Sequence, residues 1–292
     1  MVETEKPFFS VVIPTYERPK DLKICLESLS MKNQDGAPAY EIIVTDDSHS
    51  DDCRNLVEKD FPNVAWGKGK QNGPAGNRNA GVARAQGDWI IFIDDDCIAQ
   101  KGYISAYAAI IKNNPSIGAL EGRIFPDRPR KTWAEGCPAN ELGGMYWTSN
   151  LCVKKELFCK LGGLDERFEV AFEDVDFTHR LRQTSVGMSF VYGAAVCHPW
   201  RGLRAGGNNW KRKGYELESL LLFLHKHPEA CGKYGSANNY LRNFCRMMTK
   251  DLSYCLFKLY GKGIDVLFLQ ALNTLRTAFY VLRLSSRLKS KI

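Results

Sequence analysis

Apolar runs and helical periodicities alternate along the first hundred residues. Residues 8–14, FFSVVIP, form an uncharged, β-branched run that predicts a buried strand. Pro19-Lys20-Asp21 then opens a helix whose apolar positions Leu22, Cys25, Leu26 and Leu29 share one face. A second strand is predicted over 41–45 and a third over 88–93, with a helix over 75–86 that starts after Asn72-Gly73-Pro74 and stops at Gly87. This alternation predicts a parallel α/β sheet. Further on the pattern is mixed. Strands are predicted over 149–153, 189–192 and 194–197. Helices are predicted over 154–161 and 174–181, the latter with acids in its first turn as the helix dipole favours. No internal repeat or low-complexity segment interrupts the chain.

The tail differs in kind. Residues 239–260 and 264–288 both place apolar residues at helical steps, parted by Gly261-Lys262-Gly263. In the second, Leu267, Ala271, Leu275, Ala278 and Leu282 recur, with Arg276, Arg283, Arg287 and Lys289 between them. Its longest uncharged run, 266–275, is about half of a membrane span, which argues against a transmembrane helix. Charge sharpens the contrast. Residues 1–198 hold 23 Lys/Arg against 28 Asp/Glu, a net of −5, whereas 199–292 hold 17 against 5, a net of +12. The expected organisation is therefore one α/β domain over 1–200 and a basic, amphipathic helical extension over 201–292. Such an extension is expected to lie on an anionic membrane surface. Docking to another subunit as a helical hairpin, giving a homo-oligomer, is the competing reading. No nucleic-acid module is recognisable, so no nucleic-acid partner is expected.

Composition adds two constraints. With 292 residues, 44% of them apolar, the chain can bury a full core and has no signature of disorder. Its ten cysteines form no C-x-x-C pair and no zinc-spaced cluster, so a thiolate metal site is not expected. Those thiols, with no secretory signal pattern at the first six residues, predict a reducing, cytoplasmic location on the inner face of the cell membrane.

Acidic residues close two of the predicted strands: Asp46-Asp47 and Asp94-Asp95-Asp96. Ligands of open α/β sheets bind beyond the carboxyl ends of the strands. Acids there also serve as turn formers or helix caps, which accounts for the first pair equally well. Three in succession repel one another unless something cationic compensates, and a divalent ion does so through hard oxygen ligands.

Four blocks in this order, FSVVIPTYERP at 9–19, EIIVTDDSHSDD at 41–52, NGPAGNRNAGVARAQGDWIIFIDDDC at 72–97 and GGLDERFEVAFEDVDFTHRL at 162–181, resemble family 2 glycosyltransferases over about residues 8–200. The resemblance implies a GT-A, Rossmann-like domain with a central mixed sheet, followed by the C-terminal helical extension. It implies an inverting transfer of a sugar from a nucleoside diphosphate, UDP or dTDP favoured, to a hydroxyl of a glycan or lipid-linked acceptor. It also implies roles. Pro14 and Tyr16 would line the base, and Asp46 would accept its imide N–H, with Asp47 as the fallback one position on. Ser48-His49 departs from the family's usual Gly-Ser there. Arg78 would neutralise diphosphate charge, and Asp94 and Asp95 would hold the nucleotide. Asp96 and His198 would hold Mg²⁺ or Mn²⁺. Asp174 would be the general base, with Glu173, Asp176 and Trp147 near the acceptor or bracing its loop. Trp133 is a further stacking candidate, against a plain buried role. Two other readings oppose this one. A nucleotidyltransferase would show a Gly-rich, basic loop after the first strand, and Thr15-Tyr16-Glu17-Arg18 is neither. An inactive sugar-nucleotide scaffold would not require Asp94, Asp96, Asp174 and His198 together.

Overall fold

The computed structural model describes residues 6–203 and 207–289, with side chains over 6–203 and 211–283. Arg287 and Lys289 of the tail pattern, and residues 1–5, therefore lie outside the described side chains. Along the first part run β1 (Phe9–Thr15), α1 (Pro19–Ser28), β2 (Tyr40–Asp46), α2 (Asp52–Asp60), β3 (Ala65–Lys68), α3 (Pro74–Arg84), β4 (Trp89–Ile93), β5 (Ile98–Ala99) and α4 (Tyr103–Asn113). Then come β6 (Ile117–Pro126), β7 (Glu135–Gly136), β8 (Asn150–Lys154), α5 (Lys155–Lys160), α6 (Glu173–Arg182), β9 (Gly187–His198) and β10 (Arg201–Gly202). Helices follow: α7 (Gly207–Lys226), α8 (Cys231–Tyr234), α9 (Ala237–Arg246), α10 (Leu252–Lys258) and α11 (Ile264–Lys289).

The chain divides into two compact units. The first comprises residues 1–127, 138–169 and 173–199; the second comprises 128–137, 170–172 and 200–292. In the first, eight strands form one mixed sheet in the order β3-β2-β1-β4-β8-β6-β9-β5. Strands β1 to β4 pair in parallel, whereas β8 runs antiparallel to both β4 and β6. Period-two alternation sends Val11 and Ile13 of β1 to one face, against Leu22, Cys25 and Leu26 of α1. Val12 goes to the other, with Ala75 and Val82 of α3 and Phe177 and Leu181 of α6. Helix α3 lies close enough to β1 that a Cβ on Gly81 would strike the Val12 side chain. That close approach holds the helix start, at Gly73-Pro74, against the end of β1.

The two short strands expected over 189–192 and 194–197 are one strand, β9, pairing with β6 through a register irregularity between Gly122 and Arg123. A break read from Gly193 is thus a bulge-like adjustment inside the sheet.

In the second unit the helical core comprises Trp133, Met247, Cys255, Leu259, Val266, Leu267 and Ala271. The segment expected as one helix over 239–260 is α9, a π-helical turn over Met247–Asp251, and α10. Along α11, Leu267, Ala271, Ala278 and Val281 are buried, so most of the apolar stripe seen in the sequence is used inside this unit. Leu282 of that stripe stays exposed, in a row with Phe268, Leu272 and Phe279. No helix among the described residues is long and apolar enough to cross a membrane.

Candidate active site

The carboxyl ends of β1, β2 and β4 lie side by side, because these strands are parallel neighbours in one sheet. Each ends in polar residues, and α3 begins against the same edge. The acids of 94–96 therefore meet Thr15 and Arg18 from the β1–α1 turn, Arg78 from α3 and His198 from the end of β9.

The three consecutive aspartates point in different directions. Asp94 accepts a hydrogen bond from Nη2 of Arg78 at 2.6 Å. Asp95 turns inward: its Oδ2 accepts from the Thr15 hydroxyl at 2.8 Å and its Oδ1 from Arg18 Nη1 at 3.2 Å. Burial pushes the Asp95 carboxyl up to about 6, against the opposing pull of Arg18 and Thr15. Asp96 lies 3.1 Å from Arg18 Nη1 through Oδ2 and 3.3 Å from His198 Nε2 through Oδ1. Asp95, expected beside the nucleotide, is thus an inward brace of the β1 end, buried with both carboxylate oxygens on Thr15 and Arg18.

His198 is buried, and its Nδ1 stands 2.8 Å from the Pro199 carbonyl. A carbonyl only accepts, so Nδ1 carries a proton, and an unprotonated Nε2 presents a lone pair towards the Asp96 carboxylate. Two acceptors facing each other at this distance require a cation or proton between them. An imidazole nitrogen with a carboxylate oxygen is a donor set that suits Mn²⁺ or Mg²⁺. Cys97 belongs to the same cluster, within 4.8 Å, but burial and the Asp94 and Asp96 charges hold its thiol well up and protonated. It adds no hard ligand.

Arg78 departs from its expected place. Its side chain is buried, with Nη1 at 3.3 Å from Glu173 and Nη2 on Asp94, while Nε is buried without an acceptor. The guanidinium faces neighbouring acids on both sides rather than open solvent, and so it links the Asp94 turn to the start of α6. The carboxylates of that helix then separate by environment. Asp176 is fully buried and gripped by Arg180 at 2.7 Å, an i,i+4 pair along α6. Glu173 is buried against Arg78 and acts as a brace, not as an exposed acceptor contact. Asp174 accepts only the Val175 N–H, at 2.7 Å, and no second side chain binds its carboxylate among the described residues. Burial, with Asp94 nearby, raises both the Glu173 and Asp174 carboxyls above their ordinary range.

At the other end of the cleft edge, Tyr16 is exposed and meets the His49 ring edge-on at 6.0 Å, beside half-buried Pro14. Asp46 is fully buried, its oxygens taken by the Ser48 N–H at 2.8 Å and the Trp66 indole N–H at 3.3 Å. Asp47 accepts from Gln71 N–H through Oδ1 alone, which leaves Oδ2 without a protein donor among the described residues. Trp147 is half-buried and packs on the core under the sheet, and Trp133 belongs to the helical unit, where its indole donates to Gln270 at 3.0 Å.

The family model described as glycosyl transferase family 2 matches residues 10–155. The chain belongs to this family. A glycosyltransferase of Haemophilus influenzae, uncharacterized by its name, is 30% identical over 190 residues, covering 60% of this chain and 62% of that one. The GalNAc(5)-diNAcBac-PP-undecaprenol beta-1,3-glucosyltransferase of Campylobacter jejuni is 36% identical over 164 residues, covering 54% and 50%. The chain thus spans between half and two thirds of the length of these relatives. Among solved structures, Staphylococcus aureus TarS 1–349 superposes with a TM-score of 0.57 at 20% identity, over 74% of this chain and 64% of that one. The mannosyltransferase PcManGT of Pyrobaculum calidifontis, solved with GDP-Man and Mn²⁺, gives 0.53 at 17% identity, over 97% and 76%. At these identities the likeness is one of fold, and the fold is GT-A.

In this member of the family, two residues at the edge escaped the sequence reading. Arg18 bridges Asp95 and Asp96, and Glu17 holds the 48–50 turn through the His49 and Ser50 N–H groups at 2.7 and 3.1 Å. Both stand in the TYERP block, where a charge so soon after a buried strand was the available signal. The Glu17 contacts also account for the departure at Ser48-His49: the turn is held by a carboxylate from outside instead of by glycine.

Proposed function

We propose that the chain transfers a sugar from a nucleoside-diphosphate donor, UDP or dTDP favoured, to a hydroxyl of a glycan or lipid-linked acceptor, with inversion. The observation that carries this is the separation of roles at α6: of three adjacent carboxylates, two are locked in ion pairs and only Asp174 keeps its charge for a substrate. The acceptor hydroxyl oxygen forms the new bond to the anomeric carbon as the bond to the diphosphate oxygen breaks, and Asp174 takes the hydroxyl proton. Burial that raises its proton affinity makes it a better base than an exposed carboxylate. Asp96 and His198 would hold Mn²⁺ or Mg²⁺, which would supply positive charge to the departing diphosphate. Asp94 lies at the nucleotide, steadied by Arg78. Tyr16 stacks on the base over Pro14, and Asp47 takes the imide N–H, since Asp46 has spent its oxygens on Ser48 and Trp66.

The name of the Campylobacter relative supports a lipid-linked acceptor, and the exposed row Phe268, Leu272, Phe279 and Leu282, with Arg276 and Arg283 on the same helix, suits an anionic bilayer on the cytoplasmic side. A screen of nucleotide sugars for slow hydrolysis with Mn²⁺ and with Mg²⁺ tests the reading. Release of one nucleoside diphosphate only with metal is expected, whereas inertness toward all of them with and without acceptor lipids overturns it.

A further inference from the structure

The helical unit contains a cavity of about 520 Å³, lined by α7, α9, the π-helical turn, α11 and the 130–133 segment. Nothing in the transfer chemistry uses it. The charges that face it are Arg130, Lys213, Arg246 and Asp251. Lys213 is neutralised by Glu216, and Arg246 faces Asp251 at a loose 3.8 Å. Arg130 is the surplus cation. Its guanidinium lies over the ring of Trp133, 4.1 Å from its centre, and over that of Trp200, at 5.6 Å. Nε and Nη2 are spent on the carbonyls of Thr132, Trp133 and Glu135, while Nη1 has no protein acceptor among the described residues. The neighbouring Glu135 carboxylate is bidentate to Arg128, at 3.1 and 2.8 Å, and not to Arg130. Burial lowers the proton affinity of the guanidinium, against the opposing charges of Glu135 and Asp251.

A second orphan lies in the same wall. Oδ1 of Asn273 is buried with no donor. An anion alone would satisfy Arg130 and leave Asn273 unpaired; a sugar alone would do the reverse. The π-helical turn over Met247–Asp251 widens the helix at this wall, and such turns cluster at functional sites.

We propose that this cavity binds a phosphorylated sugar or polyol, its phosphate on Arg130 and Arg246 and a hydroxyl donating to Asn273 Oδ1. A guanidinium meets phosphate oxygens through paired N–H donors, and the indole of Trp133 offers a flat wall to a sugar ring. The ligand arrives either as a soluble sugar phosphate or as the headgroup of a lipid. The site belongs to the helical unit alone, so its failure would leave the transfer chemistry untouched.

Calorimetry on the full chain in EDTA, with glucose 1-phosphate, inorganic phosphate and glucose as probes, is the test. Glucose 1-phosphate is expected to bind about tenfold more tightly than phosphate, and glucose not at all. Arg246→Gln, at a largely exposed side chain, should weaken glucose 1-phosphate at least tenfold, whereas Arg246→Lys should recover most of that loss. Asn273→Leu should reduce glucose 1-phosphate to the level of phosphate. Vesicles of phosphatidylinositol and of equally charged phosphatidylserine identify the source. An excess on phosphatidylinositol that Asn273→Leu abolishes assigns the site to a lipid headgroup, and equal binding assigns it to a soluble ligand. No binding of glucose 1-phosphate at millimolar concentration, or binding that both Arg246→Gln and Asn273→Leu leave unchanged, overturns the proposal.

Discussion

The acidic edge of the sheet and the basic helical unit solve opposite electrostatic problems. At the edge, like charges are crowded, and the fold answers with cations placed among them: Arg18 across Asp95 and Asp96, and Arg78 between Asp94 and Glu173. In the helical unit the excess runs the other way, 20 Lys/Arg against 6 Asp/Glu over 128–137, 170–172 and 200–292, and Arg130 is left with a nitrogen unspent among the described residues. An edge whose counter-cations are partly its own side chains is preorganised to exchange them for a substrate's ion. A surplus without partners is a surface or cavity that waits for an anion. The same arithmetic of charge thus points to chemistry in one unit and to binding in the other.

Breaking the edge should have the largest effects. Asp96→Ala removes the carboxylate shared by Arg18 and His198. Donor binding should then lose its dependence on Mn²⁺, with transfer falling below detection; calorimetry with and without the ion reads this, and unchanged metal-dependent binding would take Asp96 out of the cation site. Asp176→Ala breaks a buried pair and strands the Arg180 guanidinium, so a loss of roughly 3–5 kcal/mol in urea unfolding is expected. An effect below about 1 kcal/mol would mean that Arg180 finds other acceptors, such as the Leu161 and Gly163 carbonyls it already meets.

The helical unit should respond to salt. Full-length protein is expected to sediment with anionic liposomes at low ionic strength and to release as salt screens each cation's contribution, about 1 kcal/mol near the surface. Indifference to liposomes, with a concentration-dependent oligomer instead, would assign the exposed α11 row to another subunit.

The smallest effect concerns Asp95. Its carboxyl is raised from 3.8 to about 6 by burial, so the folded chain binds more protons there than the unfolded chain does. The stability this contributes is present at low pH and is lost as pH rises through about 4 to 6. Asp95→Asn should flatten that slope in unfolding curves taken in EDTA; an unaltered slope would assign it to another group.

Much of the edge was legible because strand ends announce themselves: an apolar run that stops at an acid fixes both the strand and the side of the sheet. The period of β1 and the Gly73-Pro74 break placed α3. What the sequence hid was direction. Asp94, Asp95 and Asp96 are identical letters, yet one faces Arg78, one Thr15 and one His198, and only the packing of neighbouring turns decides which. Likewise nothing local distinguishes Asp46, enclosed by Trp66 from the next strand, from Asp47. Nor could the burial of Arg78 be read locally, because its partner Glu173 lies 95 residues away. The tail's apolar stripe was legible, but not that most of it packs inward, because burial against a partner helix and burial against lipid leave the same periodicity.

The central claim is that Asp174 alone among the acids of α6 takes the acceptor's proton. Asp174→Asn keeps the shape, including a side-chain oxygen for the Val175 N–H, and removes the base. Donor affinity by calorimetry should stay near that of the parent, while turnover in a transfer assay with the donor found by the hydrolysis screen should fall about a hundredfold or more. The parent's turnover should also decline as pH falls through a carboxyl raised above its ordinary range, since the protonated form cannot act. Turnover within about tenfold of the parent, with that acid limb still present, would contradict the claim and pass the role to Glu173 or another group.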